Sequence, residues 1–167
     1  MRRKDREMPR EFALQIIDSS LWAVVSMAGA DGEPYGVPLS LVRDGEVLYF
    51  HAAMEGKKAD LLAENARVSV CCVGYAQLVP EVYSVAYGCA IASGTAHPVT
   101  DAKEKLHALR LLAERYAKDH PERFPLEIKE NFSHTAVWKI RIQEISGKRA
   151  VYPKTGLPDG SQSGGGL

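Results

Sequence analysis

Two rhythms of apolar residues divide this chain. Phe12, Ile16 and Ile17 fall at helical spacing, and Pro9 suits a first turn, so the pattern predicts a helix over 10–19. Leu21–Ala28 is apolar and β-branched and reads as a strand, closed by a turn at Ala30-Asp31-Gly32-Glu33. Tyr35–Arg43 reads as the next strand, interrupted at Pro38; a proline there points to an edge, a bulge or a ligand-facing irregularity. Asp44-Gly45 is a two-residue hairpin signal leading into the strand Glu46–Ala52. A short helix over about 58–65, a strand Arg67–Gly74 and a long or broken strand Tyr83–His97 follow. Residues 101–118 form the clearest helix. Asp101 with Glu104 fits a capping box, and Leu106, Leu109, Ala113 and Tyr116 make an apolar stripe. Pro121 and Pro125 break regularity. Thr135–Ile145 then alternates as a half-exposed closing strand.

About six strands with helices inserted between them predict a mainly β, α+β fold: a small antiparallel barrel with helical excursions. A doubly wound parallel sheet would need regular strand–helix alternation, which is missing. At 167 residues the prior is a single domain. It is assigned to 1–149, and 150–167 is read as a flexible Pro-, Gly- and Ser-rich tail. Lysine plus arginine and aspartate plus glutamate each number 21, so no global field recruits nucleic acid or an anionic membrane. No apolar run has transmembrane length, and the basic start is not followed by the apolar core of a signal peptide. The chain therefore reads as soluble and cytoplasmic. Cys71, Cys72 and Cys89 read as reduced, mostly buried small residues.

Candidate chemistry gathers where the third predicted strand ends. His51 and Ala52 close an apolar run, Gly56 turns the chain, and Lys57 and Lys58 open a helix. Free N–H groups of a first helical turn attract anions, and cations at that end of the dipole make sense beside one. A phosphate is the natural guest, although lysines at a helix start are often only solvated surface. Tyr83-Ser84-Val85-Ala86-Tyr87-Gly88 is a second candidate, against an ordinary strand. Trp138 with Lys139 and Arg141 is a third, against a core tryptophan. Aromatic, hydroxyl and backbone groups of this kind suit a flat heterocycle. The five histidines show no metal-ligand spacing, so no metal is expected. A phosphate-binding loop, a G-x-G-x-x-G fingerprint and a G-x-S-x-G elbow are all missing, which argues against an ATPase, a Rossmann dehydrogenase and a serine hydrolase.

Taken in order, Tyr35-Gly36-Val37-Pro38-Leu39-Ser40, Val47–Ala53, Gly56-x-Lys58, Tyr83-Ser84-Val85 with Gly94-Thr95-Ala96, and the closing strand to Ile145-Ser146-Gly147-Lys148 resemble a known family. These are the FMN-binding split-barrel proteins related to pyridoxamine 5'-phosphate oxidase. The chain is most similar to their nitroimidazole-reductase-like branch, over roughly 1–149. The resemblance implies a homodimer of six-stranded antiparallel split barrels with FMN at the subunit interface. It implies that Lys58 and Lys57 hold the FMN phosphate beside His51 and Ala52. Pro38, Leu39 and Ser40 would line the isoalloxazine, and Ser84 and Val85 would meet the flavin or its ribityl chain. Trp138, with Lys139 or Arg141, would complete the site from the partner subunit. Many relatives carry Asn where Ser40 stands, and serine lacks the reach of that amide. The arginines and substrate-phosphate residues of true pyridoxamine phosphate oxidases are not evident.

The expected activity is electron transfer from a nicotinamide donor through FMN to a small flat acceptor such as a nitroaromatic. His51 is the candidate proton donor, since its ordinary pKa lies near neutrality. The alternatives are a non-catalytic flavin carrier or sensor, a haem-binding split barrel, a deazaflavin protein, and a partner-binding module without cofactor.

Overall fold

The helix expected over 10–19 forms as α1 (Arg10–Ser19), with Pro9 at its N-cap and Ala13, Ile16 and Ile17 buried. The computed structural model describes residues 2–152, so the expected tail lies outside the described residues from 153 onward. Around α1 the elements are β1 (Glu7–Met8), β2 (Ala23–Ala28), β3 (Pro34–Leu39), β4 (Val42–Asp44), β5 (Val47–Ala53), α2 (Lys57–Glu64), β6 (Arg67–Val79), β7 (Ser84–Pro98), α3 (Ala102–Tyr116), α4 (Phe124–Asn131) and β8 (Thr135–Ala150). The strands follow the order β3-β2-β6-β7-β8-β5-β4, with β1 paired to β8. The registers of β1, β2, β3, β4 and β5 with their neighbours are antiparallel. The path ends at β3 and β4 without closing, as in a split barrel. The fold is thus α+β, a mainly antiparallel sheet with four α-helices among the described residues.

Two compact units share these strands. Among the described residues, the first comprises 2–20, Cys72–Ile91 and 145–152. Within it, β1 pairs Glu7 with Lys148 and Met8 with Gly147. The helix α1 lies close over two glycines. A Cβ at Gly147 would come within 3.0 Å of Phe12, and one at Gly74 within 2.6 Å of Ile16. Glycine at these positions lets the helix approach the strands.

The second unit comprises Leu21–Cys71 and Ala92–Glu144 and holds most of the expected site. Its β3 is an end strand, which explains Pro38: opposite Val24, its missing N–H is tolerated at the sheet edge. The break in this region comes at Ser40 and Leu41 rather than at Pro38. The hairpin after β4 is one residue later than expected. Asp44 pairs with Val47, so the loop is Gly45-Glu46. Gly45 takes φ 57° there, the positive value a mirror-type hairpin turn needs.

Strand β5 shows three consecutive buried residues, Leu48, Tyr49 and Phe50. Alternation is lost because both faces are covered. Tyr49 joins Val42, Val137, Ala108 and Leu112 in a cluster under α3. Phe50 and Leu48 face the other way into the core. The buried line of α3 runs through Ala108 and Leu112, with Leu109 beside it, one step round from the stripe expected at Leu106, Leu109, Ala113 and Tyr116. Tyr116 instead uses its hydroxyl, donating to the Leu41 carbonyl at 2.7 Å. Helix α4 was not expected at all. Pro125 sits in its first turn, where a missing N–H costs no helical hydrogen bond, so the proline starts a helix instead of breaking one.

Candidate functional site

Glycine 56 delivers the chain into α2 at φ 126°, a conformation that side-chain-bearing residues rarely adopt. It serves as N-cap without a side chain to satisfy the first turn. The Ala59 and Asp60 amides bond back to the Gly56 carbonyl, at 2.8 and 3.2 Å. The Lys57 and Lys58 amides, one step earlier, have no acceptor of this kind among the described residues. The Lys58 ammonium lies 5.6 Å from the Phe50 ring centroid, and that of Lys57 lies 4.8 Å from the Tyr35 ring centroid. Neither has a carboxylate partner among the described residues. Partial burial pulls the pKa of Lys58 below its ordinary value. A half-buried cation without a carboxylate partner and a first helical turn with unbonded amides have the charge and the hydrogen-bonding capacity that an anion would use.

His51 stands at the end of β5, opposite Val137, and Ala52 next to it pairs with Ala136. The His51 pKa is held below its ordinary value, mainly by desolvation and secondarily by the Lys58 charge. The imidazolium is therefore a readier acid than an ordinary one. Ser40 and His51 line one cavity of about 930 Å³, whose other walls are α3, the turn at 121–123 and α4. Pro38 and Leu39 occupy the end of β3, Pro38 exposed and Leu39 half-buried.

The third candidate cluster is divided by its own strand. Trp138 is buried and stacks on Phe50, ring centroids 6.4 Å apart and planes within 5° of parallel. Its indole N–H is buried without an acceptor among the described residues. Lys139 is committed to Glu104, donating to both carboxylate oxygens at 2.9 and 2.8 Å. Arg141 is exposed, opposite Val47. Ser84 and Val85 belong to the first unit and open β7. There the Ser84 hydroxyl lies 2.6 Å from that of Tyr152, and Val85 is exposed. No disulfide forms among the described residues; Cys72 is buried and Cys71 and Cys89 are half-buried. No cluster of three potential metal ligands exists among the described residues.

Sequence reasoning missed the cavity walls on α3 and α4. The signal available was Phe124-Pro125-Leu126-Glu127-Ile128, a proline followed by good helix formers.

A family profile described as pyridoxamine 5'-phosphate oxidase matches residues 9–149. The chain belongs to the pyridoxamine 5'-phosphate oxidase family. Among solved structures, this family member is similar to a candidate 5-nitroimidazole antibiotic resistance protein from Bacteroides thetaiotaomicron. The two share 25% identity and a TM-score of 0.71, over 86% of each chain. A FAD-binding protein from Mesorhizobium loti is 21% identical with a TM-score of 0.67, over 87% of this chain and 98% of the other. A FAD- and haem-binding protein from Mycobacterium smegmatis is 21% identical with a TM-score of 0.73, over 87% and 73%. Comparison with curated proteins gave no match. Among the described residues, no helix of this oxidase-family chain is long and apolar enough to cross a membrane.

Proposed function

We propose that this chain is an FMN-binding oxidoreductase that passes electrons from a nicotinamide donor to a small flat acceptor, in the class of nitroaromatics. The observation that carries the reading is Lys58, a partly buried ammonium with no acid partner, set beside the free amides that open α2. The family match over 9–149 and the 25% identity to a candidate nitroimidazole resistance protein support it. Lys58, Lys57 and the amides of α2 would hold the cofactor phosphate. Pro38, Leu39, Ser40 and Ala52 would position the ring, and Ser84, Val85 and Arg141 would complete the enclosure in an assembled homodimer, whereas Trp138 is taken up by the core against Phe50. When bound, FMN supplies the two-electron chemistry, and the protein supplies position and electrostatics. His51 moves the proton in this reading. Its lowered pKa makes the imidazolium a readier donor, and the neutral ring would be reprotonated by hydronium or buffer acid from the solvent between turnovers.

The test is the visible spectrum of untagged protein, with heat release of the chromophore and an FMN titration. About one FMN per chain is expected. Lys58→Gln should weaken FMN about tenfold to a hundredfold, since a charge-assisted hydrogen bond is worth about 1.5–3 kcal/mol. Nicotinamide-driven reduction of an artificial acceptor should accompany binding; flavin binding without turnover would make the chain a carrier. Colourless protein that takes up no FMN would overturn the reading, and a Soret band would move it to haem.

A further inference from the structure

The cavity that meets Ser40 and His51 is much larger than that contact. All of its lining except those two residues comes from residues 109–135, on α3, α4, the turn between them and the short link from α4 to the first residue of β8. None of these belongs to the flavin contacts proposed above. At about 930 Å³ it lies at the upper end of the range of pockets that enclose drug-sized ligands. A single nitro-heterocycle would leave most of it unfilled.

Its chemistry is specific. Leu109, Ala113, Phe124, Ile128 and Phe132 supply an apolar interior. The charged groups facing it are Arg110, Glu114, Lys118, Arg123 and Glu127, with His51 and His120. Arg123 is tied to Glu127 at 3.3 Å, and His120 lies 3.5 Å from Glu122. Arg110 and Lys118 have no acid partner among the described residues, and Glu114 is the one carboxylate left against them. The fixed charge is therefore net positive around an apolar body. Sites of this composition take amphipathic anions: the rings remove apolar surface from water and the anionic group meets the guanidinium or the ammonium.

We propose that this cavity is a second binding site, for a flat multi-ring molecule with an apolar body and an anionic group, seated with one end at Ser40 and His51. The assignment of that end to the flavin side rests on the flavin reading; the cavity and its ligand class do not.

Anilinonaphthalene sulfonate, an anionic multi-ring fluorophore, is the probe, titrated into the folded full-length chain with and without FMN. About one probe per chain should bind in both forms. Ala113→Trp and Ile128→Trp, which fill the interior, should each weaken it about tenfold while FMN affinity and the thermal midpoint hold. Arg110→Glu, on the exposed side of α3, should weaken the sulfonate but leave an uncharged naphthalene dye bound as before. Loose, non-stoichiometric binding, or variants that bind like the parent, would overturn the proposal. Probe binding as described with no FMN uptake would sink the flavin reading and leave the cavity standing.

Discussion

At the residue scale, Glu104 shows how one side chain can be read for the wrong partner. Asp101 caps α3 as its spacing with Glu104 predicts, accepting from the Glu104 amide at 2.8 Å. The Glu104 carboxylate, however, leaves the capping box and turns to the sheet. It accepts from Lys139 at 2.9 and 2.8 Å and from the Tyr49 hydroxyl at 3.1 Å. Burial, helped by that carboxylate, pushes the Tyr49 pKa up to about 12. Lys139, and after it Tyr49, holds Glu104 below its ordinary value. A carboxylate depressed in the folded state stabilises it above the unfolded pKa, and that contribution is lost as pH falls through the folded value. Glu104→Gln should cost about 1–3 kcal/mol at pH 7, because charged hydrogen bonds on a partly buried site are removed. The gap between parent and variant urea midpoints should narrow steadily below about pH 4.3, the ordinary glutamate value. A gap that stays constant between pH 7 and 3 would refute the assignment. The pairing was illegible in sequence because Tyr49, Glu104 and Lys139 are distant along the chain and each has a plausible local role.

At the element scale, the strands and the helices α1, α2 and α3 followed from periodicity, whereas their faces did not. The α3 stripe was off by one step because several apolar residues of that helix are near-equivalent in sequence, and only contact with Tyr49 and Val137 selects Ala108 and Leu112. Helix α4 is hidden in the sequence because a proline reads as a breaker until its place in a first turn is known. Gly94 carries a constraint that its sequence neighbours hide. A Cβ there would stand 2.0 Å from the Arg141 carbonyl oxygen, so β7 and β8 meet at a distance only glycine permits. Gly94→Ala must displace backbone and should destabilise by about 3 kcal/mol or more, at the upper end of overpacking costs. Chemical denaturation measures it. A change within about 0.5 kcal/mol, the size of an ordinary surface substitution, would mean the strands separate freely.

At the scale of the whole molecule, the first unit leaves apolar side chains in water. Tyr83 is 99% exposed, and Leu78 and Val82 beside it are largely exposed. Tyr83 also holds φ 49°, a left-handed conformation uncommon for residues other than glycine. Exposed apolar groups of this kind are what a partner surface would cover. A second copy of the chain is the occupant expected here, in line with the proposed homodimer. Light scattering should give twice the chain mass of 18.3 kDa. Tyr83→Asp should shift that toward the single-chain value without changing the circular dichroism. A parent protein that is monomeric at micromolar concentration would remove the dimer from the reading.

What the sequence determined by itself is what is written locally. Strand and helix rhythm, the N-cap at Asp101, the proline on an edge strand and the glycine before two lysines all depend on residues within one or two turns of each other. The order of Pro38, His51, Gly56, Lys58, Ser84 and Val85 was enough to reach the family that the profile match then established. The tertiary structure alone decided which candidates share a space. It brought Ser40 and His51 to one cavity wall, gave Lys139 to Glu104 and buried Trp138 against Phe50. It also built the rest of the cavity from α3 and an unexpected α4. The physical reason is that packing chooses among side chains of equal local propensity. Contacts between residues far apart in the chain make that choice, and they exist only once the chain is folded.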